Sequence, residues 1–151
     1  MVWGFMEWNG VGILTEIEGK MDAMQYVEIL EGGVMESVEK LGMDKESFYY
    51  QQDNDPKHTS KLASKWFEDM GIKLLDWPSQ SPDLNPIEHL WAHVKKELHK
   101  YPVPPSSLHQ LWDRLVEQWN KIPTEVCQNL IKSMPRRCRA VINAKGGHTK
   151  Y

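Results

Sequence analysis

The sequence is poor in cysteine, has no long apolar run, and carries only a slight net charge. Two cysteines, Cys127 and Cys138, are too few and too far apart for a zinc motif, and they build no disulfide framework, which fits a reducing compartment. No apolar stretch approaches the roughly 18 residues of a membrane span, and the N-terminus lacks the charged and apolar regions of a signal peptide. A soluble intracellular protein is therefore expected, with no membrane partner. A formal net charge of −3 excludes a polycation overall. The balance is nevertheless uneven, because after Glu125 the chain carries Lys132, Arg136, Arg137, Arg139, Lys145 and Lys150 with no acid. Such a run is a solvated face or a phosphate-contacting tail. Internal repeats and low-complexity segments are absent too.

What is present is one domain's worth of chain, 151 residues at 40% hydrophobic content, enough for a core. Seven tryptophans fall mostly at helical spacing among apolar neighbours and read as packing residues. "MVWGFMEWNGVGILTEIEG" predicts two strands joined through Asn9-Gly10, since both residues tolerate positive φ. From Asp22, an N-cap, to Gly42 runs a stripe of Val27, Leu30, Val34, Val38 and Leu41, interrupted by Gly32-Gly33. "SFYYQQD" reads as an interior strand, apolar on both faces at its start.

Thr59 or Ser60 caps a helix with Leu62, Ala63, Trp66, Phe67 and Met70 on one face, stopped by Gly71. "IKLLD" is a short strand, and "WPSQSPDLNP" a loop from which Pro86 opens the next helix. "YPVPPSS" is a rigid linker to an amphipathic helix around Leu111 and Trp119, with one or two shorter helices to about Asn143. Residues 1–143 are thus expected to form the folded domain and 144–151 a flexible basic tail. Hairpin strands followed by alternating helices and strands predict an α/β fold, a mixed sheet flanked by helices.

Two acids stand out. Asp53 lies past a strand end, where open α/β sheets place their chemistry, although Asp there also starts ordinary Asx turns. Glu88 is the third helical residue after Asn85-Pro86, the position of a capping box, whose Glu bonds back to the cap's N–H. Each acid ends an elaborate turn, "DNDPKHTS" or "WPSQSPDLNP", of the kind that holds a carboxylate rigidly. Two hard carboxylates converging on one point would repel without a cation, and oxygen-only ligation favours Mg²⁺ or Mn²⁺. A pair of such ions about 4 Å apart can activate an attacking oxygen and stabilise a leaving one, as in phosphodiester transfer.

"QQDNDPKHTSK" and "LDWPSQSPDLNPIEHLW" resemble the second and third catalytic motifs of mariner-like transposases of the Tc/mariner superfamily. Positions 54 to 87 put 34 residues between Asp53 and Glu88, a spacing typical of its Asp-Asp-Glu branch. "MVWG", "NGVG" and "IEGKMDA" resemble the segment preceding the second motif, and the likeness covers essentially the whole chain.

The resemblance implies an RNase H-like catalytic domain with extra C-terminal helices, in an enzyme of cut-and-paste DNA transposition. Such an enzyme hydrolyses phosphodiester bonds at transposon ends and joins the freed 3′-hydroxyl to target DNA at a TA dinucleotide. It implies Mg²⁺ or Mn²⁺ as cofactor, Asp53 and Glu88 as catalytic metal ligands, and DNA as partner, with no small-molecule substrate. A homodimer is a candidate assembly and the nucleus the expected location. Asn54 and His58 are candidates for positioning DNA or the Asp53 loop, against simple turn hydrogen bonds. Lys57, Lys61, Lys65, Arg136 and Arg137 are candidate phosphate contacts, with a solvated face as the alternative. His89 and His93, at i and i+4, lack the Glu of a metalloprotease motif and are not read as a zinc site. Position 89 is more often Asn in the family, which puts a contact near the site in doubt.

The family's first catalytic Asp belongs to a strand upstream of the segment that here begins "MVWGF", and Asp22, at a helix start, is no substitute. That first strand is central in the family's sheet, paired with the hairpin on one side and with the Asp53 strand on the other. Its absence from this chain would leave two inner edges unpaired, each buried orphan group costing about 1–3 kcal/mol. Against a net stability of about 5–15 kcal/mol, the isolated chain is expected to fold poorly or to pair with something else. With two of three carboxylates it should bind metal weakly and catalyse little alone. The family's helix-turn-helix modules have no counterpart here, so specific DNA recognition is not expected. The alternative reading is a non-catalytic transposon-derived relic that binds DNA weakly or pairs with intact transposase.

Overall fold

Asp22 does what its position predicts: its side chain accepts from the Gln25 N–H and starts the first helix. The computed structural model describes residues 1–44, 46–79, 81–147 and 149–150. Its strands are β1 (Val2–Glu7), β2 (Gly10–Glu16), β3 (Tyr49–Tyr50) and β4 (Lys73–Leu74). Its helices are α1 (Ala23–Ile29), α2 (Met35–Lys40), α3 (Lys61–Met70), α4 (Pro86–Leu98), α5 (Leu108–Asn120) and α6 (Thr124–Asn143). The chain divides into two compact units, one of Met1–Phe5 with Gly12–Ser81 and the other of Met6–Val11 with Pro82–Tyr151.

The sheet is smaller than the sequence predicts. Among the described residues, β1 pairs with β2, and β3 runs parallel to β4, as two separate two-stranded sheets. The hairpin turn falls on Trp8-Asn9, and Gly10 already begins β2 at φ +143°, a conformation that favours glycine. "SFYYQQD" forms only the two-residue β3. Tyr50 is buried, but Tyr49 is 64% exposed, so the strand has one interior face, not two.

In the first unit, Phe5, Tyr26, Leu30, Val34, Val38, Tyr50, Ala63, Trp66, Phe67 and Ile72 form the core. Between α1 and α2 the helix does not break at Gly32-Gly33; it widens into a π turn over Leu30–Val34. Packing explains this. A Cβ on Gly33 would meet the Trp3 ring at 2.5 Å, so only glycine admits the indole there. Ser37 donates to the Gly33 carbonyl and accepts from the Ile13 N–H at 2.9 Å, which bonds the widened helix to β2.

The second unit is built on α4, α5 and α6. Leu90 and Val94 of α4 are buried, and Trp91 stacks on Trp119 of α5 with centroids 4.9 Å apart. Ser107 caps α5 by accepting from Gln110 N at 3.1 Å. Instead of one or two short helices, Thr124–Asn143 is a single 20-residue helix that continues through Pro135. Pro135 is exposed, on the solvent side of the helix. Within the tail, Thr149 is fastened to Asp83, its N–H and hydroxyl both donating to one carboxylate oxygen at 3.0 and 2.8 Å. His148 and Tyr151 of that tail, like Gln80 of the "WPSQSPDLNP" loop, lie outside the described residues. No described helix is long and apolar enough to cross a membrane.

Candidate active site

β3 and α3 bracket the turn that presents Asp53. Ser60 caps α3, its hydroxyl accepting from Ala63 N at 3.2 Å, and this fixes where the turn ends. Inside the turn, Asp53 Oδ1 accepts from the Asp55 N–H at 3.1 Å and meets His58 Nδ1 at 2.6 Å. Both bonds fall on the same oxygen. Oδ2 has no hydrogen bond among the described residues, and the Asp53 side chain is 57% exposed. The Asx-turn reading and the functional reading are therefore compatible, since one oxygen shapes the turn and the other faces outward.

The remaining polar groups of the motif fix the turn in place. Asn54 Nδ2 donates to the Trp77 carbonyl at 2.7 Å, tying the Asp53 turn to the start of the proline-rich loop. Lys57 forms an ion pair with Asp55 at 2.5 Å, and this neighbour holds the Asp55 carboxyl below its ordinary range. Lys57 is thereby engaged within the turn. Lys61 is exposed on α3, and Lys65 pairs with Asp69 at 2.8 Å on the solvent side.

Two residues outside the sequence-level site hold His58. Tyr26 of α1 packs its ring against the imidazole at a centroid distance of 4.2 Å. Its hydroxyl donates to Gln52 Oε1 at 2.5 Å, and Gln52 Nε2 donates in turn to the His58 carbonyl at 3.0 Å. Burial first, and then the neighbouring Tyr50, push the Tyr26 phenol far above its ordinary range, so it stays a neutral donor. Gln52 was legible as part of "QQD", but nothing in the spacing of Tyr26 announces a partner 32 positions away.

Glu88 belongs to the second unit. The capping-box reading fails in both halves: the Asn85 side chain makes no capping bond to α4, and the Asn85 N–H donates to the Pro82 carbonyl at 3.0 Å. The 3₁₀ turn Pro82–Leu84 takes the N–H that Glu88 was expected to satisfy. Glu88 is exposed in the first turn of α4, and its carboxylate has no hydrogen bond or ion pair among the described residues. Beside it, His89 is shifted below its ordinary value, first by burial and then by the charge of Arg137.

Arg137 is not on the surface. It is 2% exposed, with Nε donating to Ser133 Oγ at 2.7 Å and Nη1 to the Asp83 carbonyl at 3.2 Å. The structure assigns it to holding α6 against the turn ahead of α4, which removes it from the candidate phosphate contacts. Arg136 is exposed on α6.

Asp53 Oδ2 and the Glu88 carboxylate, each taken by itself, are hard oxygens of the type Mg²⁺ and Mn²⁺ prefer. Among the described residues no group of three or more His, Cys, Asp or Glu is placed to hold a metal ion, and this includes His89 and His93. By the chemistry of its oxygens, each acid fits a divalent cation as one ligand.

Residues 1–121 match the family model of the DDE superfamily endonucleases, and the chain belongs to that family. Among named relatives it is 47% identical over 151 residues to the transposable element Tcb2 transposase of Caenorhabditis briggsae, covering all of this chain and 54% of that protein. It is 45% identical over 152 residues to the Tc1 transposase of Caenorhabditis elegans, again 54% of that protein. The chain thus spans about half the length of the curated relatives it matches, within the Tc1/mariner transposases.

In structure it is similar to the catalytic domain of Mos1 transposase with raltegravir and Mn, at TM-score 0.86 and 18% identity over 99% of this chain and 76% of that one. It is similar also to the Mos1 mariner paired-end complex with Mn, at TM-score 0.86 and 20% identity over 99% and 44% of the two chains. The fold is the RNase H-like one of these catalytic domains.

Proposed function

We propose that this chain is the part of a cut-and-paste DNA transposase that supplies Asp53 and Glu88 as metal-binding carboxylates. The reading rests on one observation: each acid ends its own turn with at least one carboxylate oxygen unpartnered among the described residues. The family resemblance and the Mg and Mn structures of Mos1 support a divalent cation as the cofactor. When bound, such ions supply a polarised phosphoryl oxygen and an activated water or 3′-hydroxyl for phosphodiester chemistry.

The paired-end and strand-transfer complexes of Mos1 support DNA as the partner: transposon ends, and in the family's pattern a TA-containing target. Paired ends also support a dimeric assembly, and DNA as substrate supports a nuclear location. Lys61 and Arg136 are exposed candidates for phosphate contact, joined by Lys57 where DNA draws it from Asp55.

These 151 residues by themselves are proposed to be catalytically silent, because the family pattern calls for a third carboxylate that they do not supply. The test is Mn²⁺-dependent nicking of a DNA bearing the element's ends. The 151-residue chain should not cleave. A chain extended at its N-terminus by a strand carrying an Asp should cleave, and Asp53→Asn or Glu88→Gln should abolish that cleavage. Undiminished cleavage by the extended Asp53→Asn chain would overturn the assignment. Persistent silence of the extended chain would favour a binding relic instead.

A further inference from the structure

We propose that His58 is a positioning residue that holds Oδ1 of Asp53 through an Nδ1–H tautomer and so leaves Oδ2 as the single oxygen offered to a metal. This inference rests on the metal reading of Asp53 given above.

The argument begins with the two ring nitrogens. An ionised carboxylate only accepts hydrogen bonds, so the 2.6 Å contact to Asp53 Oδ1 requires the proton on Nδ1. The other nitrogen, Nε2, is buried and has no hydrogen-bond partner among the described residues. A proton there would be a buried donor without an acceptor, at about 1–3 kcal/mol. Both ends of the ring therefore select the same tautomer. The ring has little room to turn, because the Tyr26 ring packs against it and Gln52 holds its backbone carbonyl.

The consequence falls on Asp53. With Oδ1 engaged by His58 and by the Asp55 N–H, the carboxylate cannot rotate to present both oxygens without losing two hydrogen bonds. One-oxygen ligation suits the near-ideal octahedron that Mg²⁺ demands, whereas two-oxygen ligation suits larger and more flexible shells. Hydrogen-bonded partners that orient ligating carboxylates typically contribute 10–100-fold to metal affinity.

The test compares the chain extended at its N-terminus by a strand carrying an Asp, so that the third carboxylate is supplied, with its His58→Ala, His58→Asn and Asp53→Asn variants. Mn²⁺ binding is measured by electron paramagnetic resonance, the tautomer by long-range ¹H–¹⁵N correlation, and folding by circular dichroism. The wild-type spectrum should show the Nδ1–H form of His58, and Asp53→Asn should lose that signature. His58→Ala should weaken Mn²⁺ binding by about 10-fold or more while the helical signal stays. In His58→Asn, the amide Nδ2 takes the place of Nδ1 and should restore most of the loss. Unchanged Mn²⁺ affinity in His58→Ala, or an Nε2–H tautomer in the wild type, overturns the inference. Absent Mn²⁺ binding, or binding that Asp53→Asn leaves intact, overturns the metal reading together with the ligation claim built on it. The tautomer then still reports separately whether His58 holds Asp53.

Discussion

In the turn at 51–60 nearly every polar side chain is bonded to the turn itself or to the first unit around it, whereas the turn ahead of α4 delivers Glu88 with a carboxylate that touches no hydrogen-bond partner among the described residues. The first acid is aimed by hydrogen bonds. The second is aimed by the helix that carries it, whose direction is set by Pro86 at its start and by Leu90 and Val94 in the core. A carboxylate can thus be held by its own polar neighbours or by apolar groups a turn away, and the two arrangements should fail in different ways.

The largest effect is expected where Glu88 depends on packing. Leu90 is 0% exposed, and Leu90→Ala should destabilise the chain by about 2–5 kcal/mol in urea unfolding. Next comes alkaline pH, which acts on the first unit. Burial pushes the Tyr50 phenol up to about 12, so its contribution is complete below the unfolded value near 10 and is lost as pH rises through the folded one. Between roughly pH 10 and 12 that loss should amount to on the order of 2–3 kcal/mol, followed by far-ultraviolet circular dichroism. Tyr26, pushed further up by its own burial, stays protonated in the folded chain over the same rise and keeps its hydrogen bond to Gln52.

A smaller effect is expected for Asn54→Ala, which removes the 2.7 Å bond to the Trp77 carbonyl. It should cost about 0.5–1.5 kcal/mol and free the Asp53 turn, read as faster amide exchange there. The smallest is expected for Glu88→Gln. Because the carboxylate is unpartnered, stability should change by no more than about 0.5 kcal/mol. A larger loss would mean that the acid caps α4 after all and that the contrast between the turns is false.

Much of this site is visible in the chain. "QQDNDPKHTS" and "SPDLNPIE" carry both acids, and the caps at Asp22, Ser60 and Gly71 follow from residue type and spacing alone. Where the reading went astray, a competing contact in the fold decided. The capping box at Glu88 was a sound local expectation, but the Pro82–Leu84 turn took the Asn85 N–H first. Arg137 reads as one of six tail cations, yet Ser133 and the Asp83 carbonyl draw it inside. Where the sequence predicts one or two shorter helices, α6 is one long helix that passes through Pro135 on its exposed side.

The sequence by itself determined which residues can do chemistry, where most helices start, and which family the chain belongs to, because these are written in residue type at short spacing. Only the tertiary structure decided which oxygen of Asp53 is engaged, that Tyr26 and Gln52 seat His58, and that Arg137 is a structural cation. The physical reason is that a hydrogen bond or a buried charge is settled by whichever partner lies closest in space, and for these groups several of those partners come from elsewhere in the chain.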